Sequence, residues 1–491
     1  MLDGHIQRTR ERVRVTVQLV SLQDQTPVWA QQFDEAFTDV LRIQDSISEQ
    51  VAEMLVPQLT GDERRRLAKR GTDDADAFEA YIRGRYHWNT MTEDGFAKAI
   101  TYYYRAIALD PEYAAAYAGI AEYYSWLSIY GVMPPAECLA AAREAAHRAV
   151  DLDETLAEAH TAFGLALITH ETQWEMAEVS FRRALELNQS YAPAHIWYAC
   201  QLAMEGRFEE ALGAARRARE LDPLNPLNSY ILAWCLFQAR RYDESIAEAQ
   251  ILVQREPQYG SARMVLSWAL RMRRRSDEAI AEAEQAIASA GQTPMFRAAL
   301  GSAYAAAGRG EEARRVLAEL RKLAGNRYVT PYHLALIHLH LGERDAALGL
   351  LEESVAVGDP WIVWLGVEPQ FDTLRADARF IELLRRTRNP SALAARRADA
   401  AEDATARYVA AVGAVTSSGQ TALTKPSPAP TFGNKISDAF RELQLLRGRS
   451  AAVRLAVPIF ATLGVVAVAF LFTSIACPAR RPTQPPAPCC A

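Results

Sequence analysis

The chain repeats itself every 34 residues over much of its length. Small residues recur at this interval in two independent series, one formed by Ala199, Ala233, Ser267, Gly301 and Ala335 and the other by Ala211, Ser245, Ala279, Ala313 and Ala347. Gly84, Ala121 and Gly164, and likewise Ala99, Ala142 and Ala177, extend the two series toward the N-terminus at intervals of 34 to 43 residues. Two helices of a hairpin approach closely only where side chains are small. The spacing therefore predicts helical hairpins that bury their remaining apolar faces by stacking on one another.

These residues resemble the tetratricopeptide repeat, a helix–turn–helix unit of 34 residues. The resemblance covers residues 77–356, which is about eight units. It implies a mainly α protein, a right-handed solenoid whose first helices line a concave groove. The first two units carry insertions, and Glu154 and Gln189 stand where the family has proline. We assign residues 71–356 to the solenoid and residues 357–388 to a capping segment, in which Asp377 caps a helix that carries Phe380, Leu383 and Leu384 inward.

Residues before the repeats form a different kind of segment. Residues 12–22 alternate between apolar and polar side chains, which predicts a strand with one buried face. A second strand is expected around Val28 to Phe33, and an amphipathic helix is expected over residues 40–55. We assign residues 1–70 to a partial α/β segment with a connector helix.

The flanks carry a second resemblance. The run from Gly4 to Asp34 is similar to the end of a TolB-N-like α/β domain, and residues 359–377 are similar to the close of the arrays that follow such domains. Such proteins are bacterial multidomain signalling and transcriptional regulators, which often begin with a winged-helix, kinase or nucleotide cyclase domain. The resemblance implies a signalling lineage.

The C-terminal quarter predicts a linker and a membrane anchor. Residues 389–450 are rich in Ala, Ser, Thr and Pro, the composition of a flexible linker. Residues 455–477 carry no charge over 23 positions, enough for a helix to cross a bilayer. We therefore assign residues 451–477 to one transmembrane helix that contacts lipid and residues 478–491 to a short polar tail.

Charge around the predicted span indicates its orientation. Five basic residues (Lys435, Arg441, Arg447, Arg449 and Arg454) lie within about twenty residues before the span, and only two (Arg480 and Arg481) follow it. Positive charge stays in the cytoplasm, so we expect cytoplasmic repeats on a single-pass inner-membrane protein. The unpaired Cys138, Cys200 and Cys235 suit a reducing compartment.

The sequence offers no recognisable chemistry. It contains neither a phosphate-binding loop nor a C-x-x-C pair. His333, His338 and His340 form its only histidine cluster, without carboxylates or thiols at ligand spacing, so we expect surface or partly buried side chains. We predict no catalytic residue, no metal and no cofactor. The net charge of −6 argues against direct binding of nucleic acid.

The groove of the three most regular units carries large apolar side chains. Mapping the solvent-facing places of the first helices gives the candidate peptide contacts Ile196, Cys200, Met204, Tyr230, Trp234, Phe237, Met264, Trp268, Arg271 and Met272. Aromatic and methionine side chains on a concave face suit an apolar peptide or helix. Equally, they could fill the space between neighbouring first helices. The basic run from Arg271 to Arg275 would clamp an anionic group, or would form a solvated turn, the commoner case.

The favoured function is a non-enzymatic, membrane-anchored scaffold that binds a protein or peptide in its groove. The first rival is the sensory or regulatory part of a signalling protein whose output domain is missing or separate. The second is an enzyme with a pocket of convergent titratable groups.

Overall fold

The computed structural model describes residues 2–8, 12–20, 27–36, 71–171, 173–290 and 293–388. These residues belong to two compact units, of which the first contains three strands and the second contains the helices.

The strands form one antiparallel sheet in the order β1-β2-β3, with bounds Leu2–Arg8, Arg12–Val20 and Pro27–Ala36. The alternation in β2 is confirmed, because Val15 and Val17 are buried while Arg14 lies opposite Asp34 of β3 and forms an ion pair of 2.6 Å with it. Alternation does not predict β1, whose only large apolar residues are Leu2 and Ile6. Its pairing with β2 makes it a strand. The helix expected over residues 40–55 lies outside the described residues.

Seventeen α-helices follow in the described part of the chain. They are α1 Ala75–Trp88, α2 Glu93–Leu109, α3 Ala114–Ile129, α4 Pro135–Leu152, α5 Ala157–Ala166, α6 Trp174–Leu187, α7 Ala192–Met204, α8 Phe208–Leu221, α9 Pro226–Gln238, α10 Tyr242–Arg255, α11 Gly260–Met272, α12 Ser276–Ala290, α13 Pro294–Ala306, α14 Gly310–Leu323, α15 Pro331–His340, α16 Arg344–Ala356 and α17 Ala378–Arg386. A short π-helical stretch, Leu167–Glu171, follows α5. Two 3-10 helices, Pro360–Trp364 and Pro369–Leu374, lie between α16 and α17.

Helices α1 to α16 form eight hairpins, as the spacing predicts, and each consists of an odd-numbered first helix and an even-numbered second helix. Small positions of both series are buried at the contact between paired helices, for example Ala199 and Ala211 in hairpin 4. Even the serines of the two series join paired helices, since Ser245 donates a hydrogen bond to the carbonyl of Ala233 at 2.8 Å. The predicted mainly α solenoid of about eight hairpins is confirmed.

The turns inside the hairpins repeat a left-handed backbone position. Gly206, Gly308 and Gly342 have φ between +77° and +80° at the end of their first helices. Arg240 and Arg274 occupy the equivalent places with φ of +62° and +59°, a conformation that favours glycine. A non-glycine residue at such a position is strained and commonly has a compensating role.

The two ends of the array meet. Glu93 at the start of α2 pairs with Arg327, which follows α14, at 2.5 Å. Tyr130 at the end of α3 shares a hydrogen bond of 2.9 Å with Ser261 of α11. Hairpins 1 and 2 therefore contact hairpin 6 and the loop that follows α14 of hairpin 7.

The capping helix α17 has the predicted construction. Asp377 accepts a hydrogen bond from the backbone N–H of Arg379 at 2.9 Å, while Phe380 and Leu383 are buried and Leu384 is half-buried. Residues 359–375, which we call the inserted segment, do more than cap the array, because they leave α16 and enter the interior between the first helices. The sequence does not predict this course.

The predicted transmembrane helix at residues 451–477 lies outside the described residues. Within the described ranges, every helix is too short or too polar to cross a bilayer.

Candidate protein-binding surface

The ten predicted groove residues lie on or at the end of α7, α9 and α11, the first helices of hairpins 4 to 6. The prediction that they face solvent is wrong. Nine are buried, with exposed fractions of 7% or less: Ile196, Cys200, Met204, Tyr230, Trp234, Phe237, Met264, Trp268 and Arg271. Met272 is half-buried. Neighbouring first helices cover them, in agreement with the alternative that they fill the space between these helices. The inserted segment also contacts Trp234, Trp268 and Arg271.

An aromatic cluster anchors the inserted segment. Trp234 and Trp268, which stand 34 residues apart, have ring centroids 5.1 Å from each other. Trp364 meets the ring of Trp234 edge-on at 5.2 Å, and Trp361 meets it at 5.9 Å. Aromatic pairs in such edge-to-face geometry are worth about 0.5–1.5 kcal/mol beyond the area that they bury.

Hairpin 8 contributes further contacts of Trp361. We call the side chains of the first helices that contact the inserted segment the seat: Trp234, Gln238, Trp268, Arg271, Tyr332 and His333. The ring of His333 on α15 lies 4.5 Å from the Trp361 ring, and Tyr332 packs edge-on against Phe371 at 5.2 Å. Trp361 also donates a hydrogen bond from Nε1 to the carbonyl of Ile129 at 3.0 Å. One side chain of the segment thus touches hairpins 2, 5, 6 and 8.

Apolar residues of the segment are buried as deeply as those of the repeats. Ile362, Val363, Leu365, Val367, Phe371 and Leu374 all have exposed fractions of 5% or less. The segment follows an irregular course of 3-10 turns, so its side chains point to several first helices. This surface therefore accepts a segment that is neither a regular helix nor a strand.

A buried polar network fixes the second half of the segment. Glu368 accepts a hydrogen bond from the side-chain amide of Gln238 at 3.1 Å. Arg271 donates to the side chains of Gln370 and His340. Burial raises the pKa of the Glu368 carboxyl and lowers the pKa of Arg271 to about 10, an effect that the nearby Glu368 opposes. The alternative of a wholly solvated basic turn is therefore wrong for Arg271.

Other members of the basic run remain at the surface. Arg273 pairs with Asp243 at 2.9 Å and Arg275 pairs with Glu278 at 2.7 Å, with both arginines exposed. Arg240, the strained residue of the hairpin 5 turn, forms an ion pair of 2.7 Å with Asp372 of the inserted segment. That contact gives a physical reason for an arginine where hairpins 4, 7 and 8 have glycine.

His333 is more buried than the sequence predicts, whereas His338 and His340 are partly buried as expected. His333 is 2% exposed, and burial lowers its pKa to about 3. Burial and the charge of Arg271 hold the pKa of His340 well below its usual range. His340 contacts the Leu336 carbonyl through Nδ1 and Arg271 through Nε2, as a neutral ring protonated on Nδ1 would. Among the described residues, no group of three potential metal ligands converges.

Several polar atoms around the seat lack a protein partner. They are Nε1 of Trp268, both ring nitrogens of His333, the hydroxyl of Tyr332, Oε1 of Gln238 and Nε of Arg271. All five residues contact the inserted segment. An unpaired buried polar group costs about 1–3 kcal/mol, so the fit between the segment and its seat is incomplete in polar terms.

A cleft of about 450 Å³ lies where the two ends of the array meet. Leu127, Val132 and Met133 line it from hairpin 2, and Val329 and Val357 line it from hairpins 7 and 8. It is a second concave feature, separate from the seat of the inserted segment. Sequence spacing could not reveal it, because residues about 200 positions apart form it.

Comparison with known proteins places the central hairpins in a family. Residues 199–259 and 232–294 match the sequence profile of the tetratricopeptide repeat. The match begins within α7 and continues past α12.

Two curated relatives are named as a cyclase and as a transcriptional regulator. A putative adenylate cyclase 3 of Rhizobium meliloti is 26% identical over 169 residues, which is 34% of this chain and 29% of that protein. The transcriptional regulator HilA of Salmonella typhimurium is 25% identical over 162 residues, which is 33% of this chain and 29% of that protein. The matched region thus spans less than a third of either relative.

The chain also resembles several solved structures. A tetratricopeptide repeat protein from Parabacteroides merdae is 16% identical, with a TM-score of 0.37 over 56% of this chain and 99% of that chain. Yeast Tom70 is 15% identical, with a TM-score of 0.39 over 70% of this chain and 75% of that chain.

Proposed function

We propose that this chain, which carries tetratricopeptide repeats, is a protein-binding module that recognises an irregular segment of a partner, neither a regular α-helix nor a strand, through its inner surface. One observation carries this proposal: residues 359–375 of the chain itself are seated there. That segment provides an example of the chemistry that the surface accepts, namely paired tryptophans followed by carboxylate and amide side chains.

We further propose that the module works without catalysis, as a scaffold. Polar side chains at the inner surface are engaged with the inserted segment, because Arg271 donates a hydrogen bond to Gln370 and Gln238 donates one to Glu368. Their hydrogen bonds hold a peptide in place, which is the use that a recognition surface makes of polar groups.

A second candidate is that the module regulates a signalling protein. The matches to a putative adenylate cyclase and to a transcriptional regulator favour it, because each covers less than a third of a longer protein. In this proposal the array senses a partner and an output domain on the same or another chain responds. Both candidates require the array to bind a protein, so one experiment tests their common basis.

Site-specific photo-crosslinking of the full chain in its own cells tests the proposal. A photoreactive amino acid at Met272, which is half-buried at the inner surface, is compared with one at Ile251, which is 60% exposed on α10. Discrete adducts with another protein from position 272 and none from position 251 would support recognition at the inner surface. Adducts from position 251 alone would move recognition to the outer face, and no adduct at either position would contradict a protein-binding role.

We also propose that residues 455–477 anchor the chain in the inner membrane with the repeats in the cytoplasm, on the charge bias described above. The thiols of the repeats cannot test this, because Cys138, Cys200 and Cys235 are buried and burial raises the pKa of each thiol. The exposed Gln285 on α12 offers a better position. In a chain whose Cys477, Cys489 and Cys490 are replaced by serine, a cysteine introduced by Gln285→Cys should react with a membrane-impermeant maleimide only after lysis, and labelling of intact cells would contradict cytoplasmic repeats.

A further inference from the structure

We propose that the inserted segment is an intramolecular ligand, which occupies the inner surface until a partner peptide of the same chemistry displaces it. The inference rests on the proposed function and adds the kind of partner and its regulation. The partner is expected to carry two aromatic residues three positions apart, as Trp361 and Trp364 are, with a carboxylate four positions later, as in Glu368.

The segment is joined to the array in a way that permits release. It begins after Gly358, whose φ of +66° turns the chain away from α16. It ends at α17, which is held to hairpin 8 by ion pairs of its own, such as Arg344 with Asp377 at 3.0 Å and Arg379 with Glu352 at 2.8 Å. Both ends are therefore fixed on hairpin 8, and the eight hairpins do not depend on the segment for their covalent or helical continuity.

The side chains of the seat offer specific polar groups to the inserted segment in addition to apolar contacts. Pairing of first helices needs only apolar contact, yet the seat presents indole, imidazole, phenol, amide and guanidinium groups to the segment. Six polar atoms of these groups have no protein partner while the segment is in place. A ligand that supplied acceptors or donors to them would bind better than the segment does.

The strained turn of hairpin 5 also supports a role in recognising the segment. Arg240 stays in the left-handed region and reaches Asp372 at an exposed edge of the segment. Asp372 also pairs with Arg375 inside the segment, at 2.6 Å. An exposed ion pair adds little stability, so this contact serves better to set the register of the segment than to hold the fold.

The inserted segment and a free peptide would compete for the same surface, and the segment has the advantage of belonging to the same chain. A tethered ligand acts at a high effective concentration, so a free peptide binds the intact chain with an affinity reduced by the fraction of time that the surface is open. Weakening the tethered segment must therefore raise the apparent affinity for a free peptide. A segment that were permanent core would give no such gain.

The test is a binding titration with a fluorescein-labelled synthetic peptide of residues 359–375, followed by fluorescence anisotropy with the full chain. The variant Trp361→Ala/Trp364→Ala should bind this peptide at least tenfold more tightly than the unmodified chain. Phe181→Ala, which removes a buried ring of α6 outside the seat, controls for general loosening and should bind as the unmodified chain does. A peptide with both tryptophans replaced by alanine should bind to none of them.

A milder variant covers the case in which the double variant does not fold. Asp372→Arg places a third arginine beside Arg240 and Arg375 at an exposed position, so helical content should be kept while the segment is repelled. It should raise the affinity for the peptide about threefold. Equal binding of the peptide to the unmodified chain and to every folded variant would overturn the inference. If position 272 still cross-links a partner in that case, the proposed function stands and only the intramolecular competition fails.

Discussion

Single small residues decide how closely paired helices approach. Gly84 on α1 faces Tyr103 of α2, and a Cβ added at Gly84 would lie 2.4 Å from a carbon of that ring. Tyr103 is fully buried and cannot turn away without opening the hairpin. The recurrence of small residues in the sequence is therefore a packing requirement, and it predicts hairpins without any information about the rest of the fold.

Gly84→Ala should lower the free energy of unfolding by about 1–3 kcal/mol, the usual cost of overpacking a well-filled core. The matched control is Gly213→Ala on α8, because a Cβ there meets nothing within 4 Å and the position is exposed. That control should raise stability by about 0.5–1 kcal/mol through helix propensity. Urea unfolding followed by circular dichroism measures both, and a Gly84→Ala chain as stable as the control would contradict close packing at α1 and α2.

His333 should make stability depend on pH. Its pKa is about 3 in the folded chain against 6.5 for an ordinary histidine, so the unfolded chain binds a proton that the folded chain does not. The stabilising effect of the neutral ring is complete above pH 6.5 and is lost as the pH falls toward 3, by about 1.4 kcal/mol per pH unit.

The comparison with His333→Phe isolates this effect. The free energy of unfolding of the phenylalanine variant should lack that slope between pH 6.5 and 5. Burial also raises the pKa values of the Asp359 and Glu368 carboxyls, but these groups titrate in both proteins and their effects cancel in the difference. Urea titrations at several pH values provide the measurement. Parallel curves for the two proteins would mean that His333 is accessible to solvent protons in the folded state.

At the scale of elements, the sequence predicts what is local. The 34-residue period yields eight hairpins, and Asp377 with Phe380 and Leu383 yields the capping helix. The same reasoning wrongly predicts that Trp234 and Trp268 face solvent, because their exposure depends on the residues that cover them. Residues 359–375 cover them, although they lie between 91 and 141 positions further along the chain, and no periodicity in the sequence indicates that contact.

The capping helix α17 should contribute to stability through one face only. Phe380→Ala together with Leu383→Ala removes two buried side chains that pack beside Phe371 and α16, and should cost about 5 kcal/mol or more. Ile381→Ala on the same helix is the control, since Ile381 is 52% exposed and its loss should change stability by no more than about 0.5 kcal/mol. Equal effects of the two changes in a thermal or urea melt would show that α17 does not pack as described.

At the scale of the whole array, closure is the feature that the sequence hides most completely. Tyr130 and Ser261 are 131 residues apart and Glu93 and Arg327 are 234 apart, yet each pair is in contact. Such contacts depend on the rotation between successive hairpins. Small differences in packing set this rotation, and their effects add up along the array. In this closed array, residues 359–375 lie against the first helices of hairpins 5, 6 and 8.

The central claim is that this segment can leave while the array stays folded, and hydrogen–deuterium exchange of the unmodified full chain tests it most directly. The backbone amides of Val367 and Glu368 donate to the Trp364 carbonyl at 3.0 and 2.9 Å, so they exchange only when the segment opens. Amides of α9 and α11 report on the array beneath, because helices of the central hairpins open only with larger parts of the fold.

We predict that the amides of residues 359–375 exchange more slowly than in an unstructured peptide but at least tenfold faster than those of α9 and α11. Such a difference means that the segment opens by itself. Exchange at the same rate as α9 and α11 would make the segment a permanent part of the core, and exchange at the unstructured rate would mean that it is not seated at all. Either of these two results would contradict the account.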